Sequence, residues 1–472
     1  MPGQVKVVFD TLVSIPYTSI YNLLIGGIQQ LAEVKIITLG CAKNLVDSEV
    51  MTGMLRDAGF TIVDNEEQAE LLLINTCGFI ADAKKESVRT ILEAVRSKAE
   101  GHFRGIIVTG CLAQRYKDEL LAEIPEIDGM IGTGELPRIA EVAREVAGGG
   151  KKTLFGGPSF LYDHKMPRVL LTPKYYSYLK IAEGCDNRCA YCAIPEIRGG
   201  YRSRPVESII TETANLAAGG VREINLIAQD TTRYGLDLYG EFALDKLLAR
   251  LNETEGPSWI RVLYAYPTHF TDRLIEVIAA GEKICKYLDI PLQHADDHIL
   301  KSMNRQGTMA DITGLVEKLR LSIPELAVRT TFIVGFPGET AERFKVLEDF
   351  IKHMEFDKVG VFTYSPEEGT PAAGMPGQVP DEIKEERKDR LIEIQQDISL
   401  KKNRKKIGST VFALIEGKSE DKEEIYVGRT QTDAPEVDGS IFVKGKRLKP
   451  GDIVLVQVTH AYEYDLIGEV RQ

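Results

Sequence analysis

The sequence lacks the features that would mark a membrane or secreted protein. No run of eighteen or more apolar residues occurs in the 472-residue chain, so we expect no membrane-spanning helix. The first 33 residues are mildly apolar but have no basic start followed by a cleavage pattern, which argues against a secretory signal. We therefore expect a cytoplasmic protein whose residues 1–33 form an extension of uncertain order.

Basic residues are fewer than acidic ones, and cysteines are few. Lys and Arg number 58 against 70 Asp and Glu, and the net charge of −12 favours a basic partner over a polyanion. Seven cysteines are an odd number in a long chain, which argues against a disulfide framework and for reduced thiols that bind metal. The content of 43% hydrophobic and 27% charged residues is typical of a globular protein, and the length allows two or three domains.

Three of the cysteines lie close together in a polar segment. Cys185, Cys189 and Cys192 have the spacing Cys-x3-Cys-x2-Cys, with an aromatic residue before the third. A four-iron cluster held by three thiolates keeps one iron open for a small molecule. Structural zinc needs four protein ligands, and the nearest histidines, His164 and His269, show no ligand spacing. An iron–sulfur cluster is the best interpretation, with zinc or three inert thiols as the alternatives.

A second set of three cysteines follows three short apolar runs. Cys41, Cys77 and Cys111 each come directly after or close to a predicted strand, and the intervals between them hold the predicted helices 47–58 and 83–98. Such strand–helix–strand units give parallel strands, whose carboxyl ends meet at one edge of a sheet. The sequence therefore predicts that these thiols converge on a second three-thiolate cluster. Cys285 lies in an apolar run and is predicted to be a core residue.

The rest of the chain divides at glycine-rich segments and changes of pattern. Glycines near 148–158 mark a linker, and an alternation of strands and helices follows. The predicted fold class is α/β, with an N-terminal open parallel domain, a central (βα) partial barrel and a small C-terminal β-barrel. The predicted limits are an extension at 1–33, an N-terminal domain at 34–147, a linker at 148–171, a central domain at 172–406 and a terminal barrel at 407–472.

The predicted strand ends of the central domain are polar, as expected for a rim that binds ligands. Gln229 and Asp230 follow one strand and are predicted to contact a cofactor. His269 and His294 follow two others, where they would either orient loops or touch the ligand. Glu367 is expected to be solvated.

The C-terminal segment changes to short alternating strands after a long helix predicted at 381–401. Five strands in about sixty residues predict a barrel of the oligonucleotide-binding type. The segment from 407 to 472 holds 12 acidic and 8 basic residues, a net charge of −4. This charge suits a basic protein partner better than RNA.

The cysteine motifs together resemble a known enzyme family. The loop at Cys185, Cys189 and Cys192 resembles the radical S-adenosylmethionine (SAM) signature, and the whole set from about residue 34 onward resembles the methylthiotransferases. One branch of that family modifies an adenosine of tRNA and typically has Gln-x-Asn after its first cysteine. This chain has Cys41-Ala42-Lys43-Asn44, which is similar to the branch that modifies ribosomal protein uS12, although Ala42 replaces a frequent proline.

The resemblance implies a reaction and its cofactors. Two [4Fe-4S] clusters are implied, one held by Cys185, Cys189 and Cys192, the other by Cys41, Cys77 and Cys111. SAM would bind the first cluster beside Tyr191, and a methylthio group would be added to the β-carbon of an aspartate in uS12, free or on the small subunit. An electron donor such as flavodoxin or ferredoxin is implied, while tRNA and membranes are not expected as partners. The alternatives are a tRNA adenosine 2-methylthiotransferase and a non-catalytic protein whose clusters are structural.

Overall fold

The computed structural model describes residues 31–420 and 424–471. Two six-stranded sheets are followed by a closed five-stranded barrel, and this confirms the predicted fold class. The predicted extension lies outside the described residues except for its last three. Over the ranges that the structure describes, no helix is long and apolar enough to cross a membrane.

The N-terminal sheet is parallel throughout, in the order β2-β1-β3-β4-β5-β6. The central strands β3 and β4 are wholly buried because helices cover both faces, which explains their continuous apolar runs. The strands are β1 (Glu33–Thr38), β2 (Thr61–Ile62), β3 (Leu71–Thr76), β4 (Gly105–Gly110), β5 (Gly129–Ile131) and β6 (Lys152–Leu154). The helices are α1 (Ala42–Asp57), α2 (Ala81–Ala99), α3 (Cys111–Arg115), α4 (Lys117–Glu123) and α5 (Ile139–Ala147).

The central sheet is also parallel and remains open, in the order β14-β13-β12-β11-β10-β7. Its strands are β7 (Tyr176–Lys180), β10 (Glu223–Ile227), β11 (Trp259–Val262), β12 (Ile284–Asp289), β13 (Ala327–Val334) and β14 (Lys358–Thr363), with a small pair β8 (Ala182–Glu183) and β9 (Arg202–Ser203). Strand β7 was not predicted from the sequence, because its alternating Tyr and polar residues give no apolar run.

Helices cross between these strands and cover the outside of the sheet. Their apolar faces and the strands form the largest core of the molecule. The helices are α6 (Ile194–Arg198), α7 (Val206–Ala218), α8 (Leu236–Tyr239), α9 (Leu244–Glu253), α10 (Asp272–Ala280), α11 (Asp297–Ser302), α12 (Met309–Ser322), α13 (Ala341–Met354) and α14 (Asp381–Arg404).

The C-terminal barrel closes in the order β15-β16-β17-β19-β18, with β18 paired to β15. Its strands are β15 (Thr410–Lys418), β16 (Ile425–Thr430), β17 (Ile441–Lys444), β18 (Ile453–Ala461) and β19 (Leu466–Val470). The five strands predicted for this segment are therefore confirmed.

The barrel docks on the central sheet through buried polar contacts. The Glu436 carboxylate accepts hydrogen bonds from the hydroxyls of Tyr176 at 2.8 Å and Tyr178 at 3.3 Å. The Arg429 guanidinium pairs with Glu223 at 2.7 Å, where both side chains are almost fully buried. These residues lie on or next to strands of both units, so the barrel completes the central domain.

The N-terminal and central domains are also joined by ion pairs. Glu367 lies 2.7 Å from both Lys84 and Arg115 and is 2% exposed, so the expectation that it is solvated is wrong. Its two cationic partners are more than 250 residues away in the chain. Nothing in the local sequence around Glu367 could have indicated them.

Candidate metal centres

Cys41, Cys77 and Cys111 follow three neighbouring strands, β1, β3 and β4, at the same edge of the N-terminal sheet. Gly40 lies so close to Cys77 that a Cβ added to it would be 2.7 Å from the Cys77 Cβ and 3.0 Å from its Sγ. Gly40 also has φ +91, a conformation that favours glycine. The loop of Cys41 therefore packs directly on Cys77, and the strand ends bring the thiols together.

Electrostatic interactions among the three thiols affect their pKa values. Burial, together with the neighbouring Cys111 and Cys41, raises the pKa of the Cys77 thiol to about 12 against the effect of a backbone hydrogen bond. Burial likewise raises the pKa of Cys111, although Arg198 beside it favours the thiolate. Cys77 and Cys111 are buried, whereas Cys41 is exposed. Thiolates at these positions would repel one another, so a bound cation would relieve this repulsion.

Asn44 holds the ends of these strands together. Its side-chain amide donates hydrogen bonds to the carbonyls of Leu39 at 2.9 Å and Thr76 at 3.0 Å. Its carbonyl oxygen lies 3.6 Å from the Cys111 Sγ and accepts a 2.5 Å bond from Arg198. The helix α1 begins at Ala42, five residues before the predicted start, and this places Asn44 in its first turn.

Cys185, Cys189 and Cys192 lie on the loop that follows β8. Gly184 has φ +82, and an added Cβ would lie 2.1 Å from the Gly200 carbonyl oxygen, so only glycine fits there. Burial raises the pKa of Cys185 to about 11 and also raises that of Cys192, where Cys189 adds to the effect. The loop therefore gathers three thiols in a poorly solvated position.

Arg305 is a cation beside this loop that the sequence analysis did not identify. Its guanidinium lies 3.9 Å from the Cys189 Sγ and 4.1 Å from the centre of the Tyr266 ring. It comes 113 positions after Cys192 with no motif around it, so the sequence carried no signal for this contact.

The predicted cofactor-contact residues lie around the same loop. Tyr191 packs against an apolar group that includes Met303 and Phe336. The Gln229 amide donates to Glu183 at 2.6 Å, while its carbonyl oxygen is buried without a partner among the described residues. Their role as SAM contacts stays a prediction.

Asp230 is held by other loops of the rim. Its carboxylate accepts hydrogen bonds from the Asn187 amide at 2.9 Å and the Thr232 hydroxyl at 2.7 Å, and it lies 3.2 Å from the His269 Nδ1. Burial would raise the pKa of Asp230, but these partners outweigh it and lower the pKa. Asp230 thereby positions Asn187, which is part of the cysteine loop. His294 similarly bonds Glu339 at 3.1 Å.

A buried charge network connects the two sets of cysteines. Lys180 lies 2.5 Å from Asp47 and 2.6 Å from Glu183, and Arg198 lies 2.6 Å from Asp47 and 3.4 Å from Glu183. Arg198 also reaches the Cys111 Sγ at 3.4 Å. The network thus runs from a thiol of one set to Glu183, two residues before Cys185.

Lys43 is a further buried cation between the two loops. It is 8% exposed, and its ammonium lies 2.9 Å from the centre of the Tyr264 ring. Burial lowers the pKa of Lys43 to about 8, although Cys41, Asp289 and Glu183 act in the opposite direction. In the sequence this lysine is recognisable only as part of the motif after Cys41.

The three thiols of each set are donors of the kind that iron–sulfur clusters use, and the two clusters stay a prediction. Within residues 31–420 and 424–471, no three His, Cys, Asp or Glu side chains are arranged to hold one metal ion. A cluster spreads its thiolates over several irons, and soft thiolates suit it. Each set supplies three thiols and a close glycine approach, one set from a single loop and the other from three neighbouring strand ends. Cys285 belongs to neither set and is 1% exposed in the core, as predicted.

Three family profiles match successive parts of the chain. The Radical SAM superfamily matches residues 179–351, and the TRAM domain matches residues 407–470. Residues 33–132 match a profile described as uncharacterized protein family UPF0004. The Radical SAM match implies a [4Fe-4S] cluster and SAM.

Curated relatives are similar over nearly the whole chain. The ribosomal protein uS12 methylthiotransferase RimO of Pelotomaculum thermopropionicum is 54% identical over 93% of this chain and 99% of the relative. The proteins of the same name from Desulforamulus reducens and Geobacter sulfurreducens are 53% and 48% identical, again over 93% of this chain, and covered to 99% and 98%.

A solved structure shares the fold. The radical S-adenosylmethionine methyltransferase TsrM of Kitasatospora setae, with tryptophan substrate and a SAM analogue bound, aligns with a TM-score of 0.54 at 14% identity, over 84% of this chain and 79% of that one. At this identity the likeness concerns the fold alone. The extensive identity to the curated relatives, on a radical SAM fold with a terminal TRAM barrel, shows that the chain is an enzyme of the ribosomal protein uS12 methylthiotransferase family.

Proposed function

We propose that this enzyme transfers a methylthio group to the β-carbon of an aspartate in ribosomal protein uS12. The observation that carries the proposal is the 54% identity, over 93% of this chain, to a relative named as a ribosomal protein uS12 methylthiotransferase. The placement of six cysteines in two sets, one on the loop after β8 and one at the ends of β1, β3 and β4, supports it, because the proposed reaction uses two metal centres. The proposed limits of the working domains are 34–147, 172–406 and 407–472.

Cys185, Cys189 and Cys192 would hold one [4Fe-4S] cluster, and Cys41, Cys77 and Cys111 would hold a second. When bound, such centres with open irons supply the electron that cleaves SAM and the sulfur that is transferred. The chain itself contributes position and exclusion of water. Five of the six thiols are partly or wholly buried and Cys41 is exposed, so most of the proposed ligands are shielded from solvent by the chain itself.

The network around Arg198 supports the proposal that the two sets of cysteines act together in one reaction. Its guanidinium bonds Asp47 of the N-terminal domain and contacts Cys111, while Glu183 belongs to the strand before Cys185. A shift of one loop would break buried ion pairs, which costs several kcal/mol. The distance and orientation between the two proposed centres would therefore stay constant during the reaction.

The proposed partners follow from charge and chemistry. The protein carries a net charge of −12, and a ribosomal protein is a basic partner. An electron donor such as flavodoxin or ferredoxin would reduce the first centre in the cytoplasm. The tRNA adenosine alternative would require binding to a polyanion, for which the acidic barrel is poorly suited.

Mass spectrometry of both candidate products tests the proposal. Anaerobically reconstituted enzyme is incubated with SAM, a reductant, purified uS12 and total tRNA. We expect a methylthio adduct on one uS12 aspartate and unmodified tRNA nucleosides. A methylthio adenosine without any uS12 adduct would establish the alternative.

Cysteine variants test the separate roles of the two loops. Cys185→Ala should abolish cleavage of SAM to 5′-deoxyadenosine, because the first centre loses a ligand. Cys77→Ala should spare this cleavage and abolish methylthio transfer. Cys285→Ala is the matched control, since Cys285 is buried outside both loops. Retained transfer in Cys77→Ala would reject the role of the second set.

A further inference from the structure

Lys43 presents a buried positive charge without an anionic partner. Its side chain is 8% exposed, and within the described residues its ammonium makes neither a hydrogen bond nor an ion pair. The ammonium lies against the Tyr264 ring instead, 2.9 Å from its centre. A buried charge normally has a paired counter-charge, because removing it from water is costly.

The carboxylates near Lys43 are already engaged by other groups. Asp289 pairs with Arg329 at 3.0 Å and accepts the backbone N–H of Tyr264 at 3.2 Å. Glu183 is held by Lys180 and by Gln229, each at 2.6 Å. Neither carboxylate therefore bonds the Lys43 ammonium directly, and the ammonium has its hydrogen-bond donors available for a further anion.

The position of Lys43 is the one where substrate is expected. It follows Cys41 by two residues, and it faces Tyr264 and Asp289 at the carboxyl ends of β11 and β12, where ligands bind in such sheets. Tyr264 has φ +60, an unusual conformation for a side chain of this size. Strained residues of this kind cluster at functional sites, and this one keeps the aromatic ring under the ammonium.

We propose that Lys43 binds the side-chain carboxylate of the target aspartate and so selects the reacting residue. The inference rests on the proposed function. The reacting β-carbon is bonded directly to the carboxylate carbon. Binding of the carboxylate to Lys43 therefore also restricts the position of the β-carbon, which lies one bond away. Tyr264 supports the ammonium from the opposite side through a cation–π contact.

A rival role for Lys43 is to balance the negative charge of a cluster at Cys41. The two roles differ in what the variant changes. A substrate anchor alters the discrimination between aspartate and asparagine in uS12 and leaves the metal centres intact. A counter-charge alters the reduction potential of the second centre and treats both substrates alike.

The test compares two forms of uS12 against four forms of the reconstituted enzyme with SAM bound. The forms of uS12 carry Asp or Asn at the target position, and their dissociation constants are measured by fluorescence anisotropy. Wild-type enzyme should bind the Asp form at least about tenfold more tightly than the Asn form, as a lost buried charge pair predicts. Lys43→Met should remove this preference by weakening the Asp form alone.

Two further variants and one spectrum complete the design. Lys43→Arg restores the charge and should recover part of the preference, while Lys446→Met on the barrel surface should leave it unchanged. Iron content and the EPR spectrum of the second centre should be the same in Lys43→Met as in wild type. An Asp preference that persists in Lys43→Met, or one that is absent from wild type, overturns the inference.

Failure of the proposed function would look different. In that case the wild-type enzyme would form no methylthio adduct on uS12, whatever its affinity for the two forms. If the adduct forms and Lys43→Met still discriminates Asp from Asn, only the role of Lys43 is wrong. If Lys43→Met loses iron, wild type and Lys43→Arg are compared instead. An Asp preference that is absent from both proteins then overturns the inference.

Discussion

Arg198 shows how one side chain can serve several parts of the site. It bonds Asn44 and Asp47 and lies 3.4 Å from the Cys111 Sγ. Burial would lower the pKa of Arg198, but Cys111, Asp47 and Glu183 outweigh it and raise the pKa well above its usual value. A permanent positive charge therefore lies against one of the proposed cluster ligands.

Replacing this charge should alter the second centre and the stability of the interface. Arg198→Met leaves Asp47 with fewer partners, and loss of such a buried partner costs about 3 kcal/mol. Because a nearby cation favours the more negative, reduced cluster, we expect a more negative reduction potential in Arg198→Met. A redox titration followed by EPR, in protein whose Cys185, Cys189 and Cys192 are replaced by Ala, measures it.

The exposed Arg138 provides the control for this experiment. Arg138→Met removes a guanidinium that pairs with Glu141 at the surface and should leave the potential as it is in the parent protein. An unchanged potential in Arg198→Met would contradict the prediction.

At the scale of the elements, the segment after β16 attaches the barrel to the central sheet. Asp433 of this segment lies 2.7 Å from Lys358 at the start of β14. Burial would raise the pKa of Asp433, but Lys358 and Lys406 outweigh it and lower the pKa to about 2. The folded protein therefore binds this proton less readily than the unfolded chain does.

The depressed pKa predicts a pH-dependent contribution of Asp433 to stability. The contribution is complete above the unfolded pKa near 4 and is lost as the pH falls from there towards 2. Asp433→Asn should lower the free energy of unfolding by roughly 2 kcal/mol at pH 7, and the difference from wild type should shrink below pH 4. Urea unfolding of the cluster-free protein at several pH values measures both.

The exposed Glu463 offers a matched control on the barrel. Glu463→Gln removes a surface carboxylate and should change the free energy of unfolding by less than about 0.5 kcal/mol at every pH. A constant difference between Asp433→Asn and wild type from pH 7 to pH 2 would argue against the titration of Asp433.

At the scale of the whole molecule, the three parts depend on one another. Glu223 lies in the central sheet with 0% side-chain exposure, and it pairs with Arg261 and with Arg429 of the barrel. Removal of the barrel would expose these charges and leave one partner missing. The C-terminal barrel is therefore part of the structural support of the site, whatever it binds.

Truncation and surface charge reversal should accordingly have different effects. Deleting residues 407–472 should lower thermal stability and soluble yield, because buried ion pairs are broken. Replacing the exposed Glu463 and Glu469 by Lys should keep the melting temperature and weaken binding of basic uS12, most clearly at low salt. Differential scanning fluorimetry and a salt series of binding measurements separate the two.

Each of the two roles of the barrel can be contradicted separately. A truncated protein as stable as the full chain would show that the barrel does not support the central domain. Unchanged uS12 affinity in the Lys variants would show that these acidic residues do not contact the substrate protein.

The amino-acid sequence by itself determined the local features of this protein. The spacing of Cys185, Cys189 and Cys192 indicated the first centre, and apolar runs before Cys41, Cys77 and Cys111 indicated strand ends. These predictions were possible because hydrophobic periodicity and ligand spacing depend on near neighbours in the chain. The parallel order of the strands followed from the length of the intervals between them.

The tertiary structure alone decided which charges meet. Glu367 is buried by Lys84 and Arg115, Arg198 reaches Cys111, and Lys43 makes no direct ion pair among the described residues. A cation and its anionic partner attract each other through space, and their separation in sequence can have any value. Only the packing of the N-terminal domain, the central domain and the barrel brings such residues within a few ångströms. This packing defines the site between the two sets of cysteines.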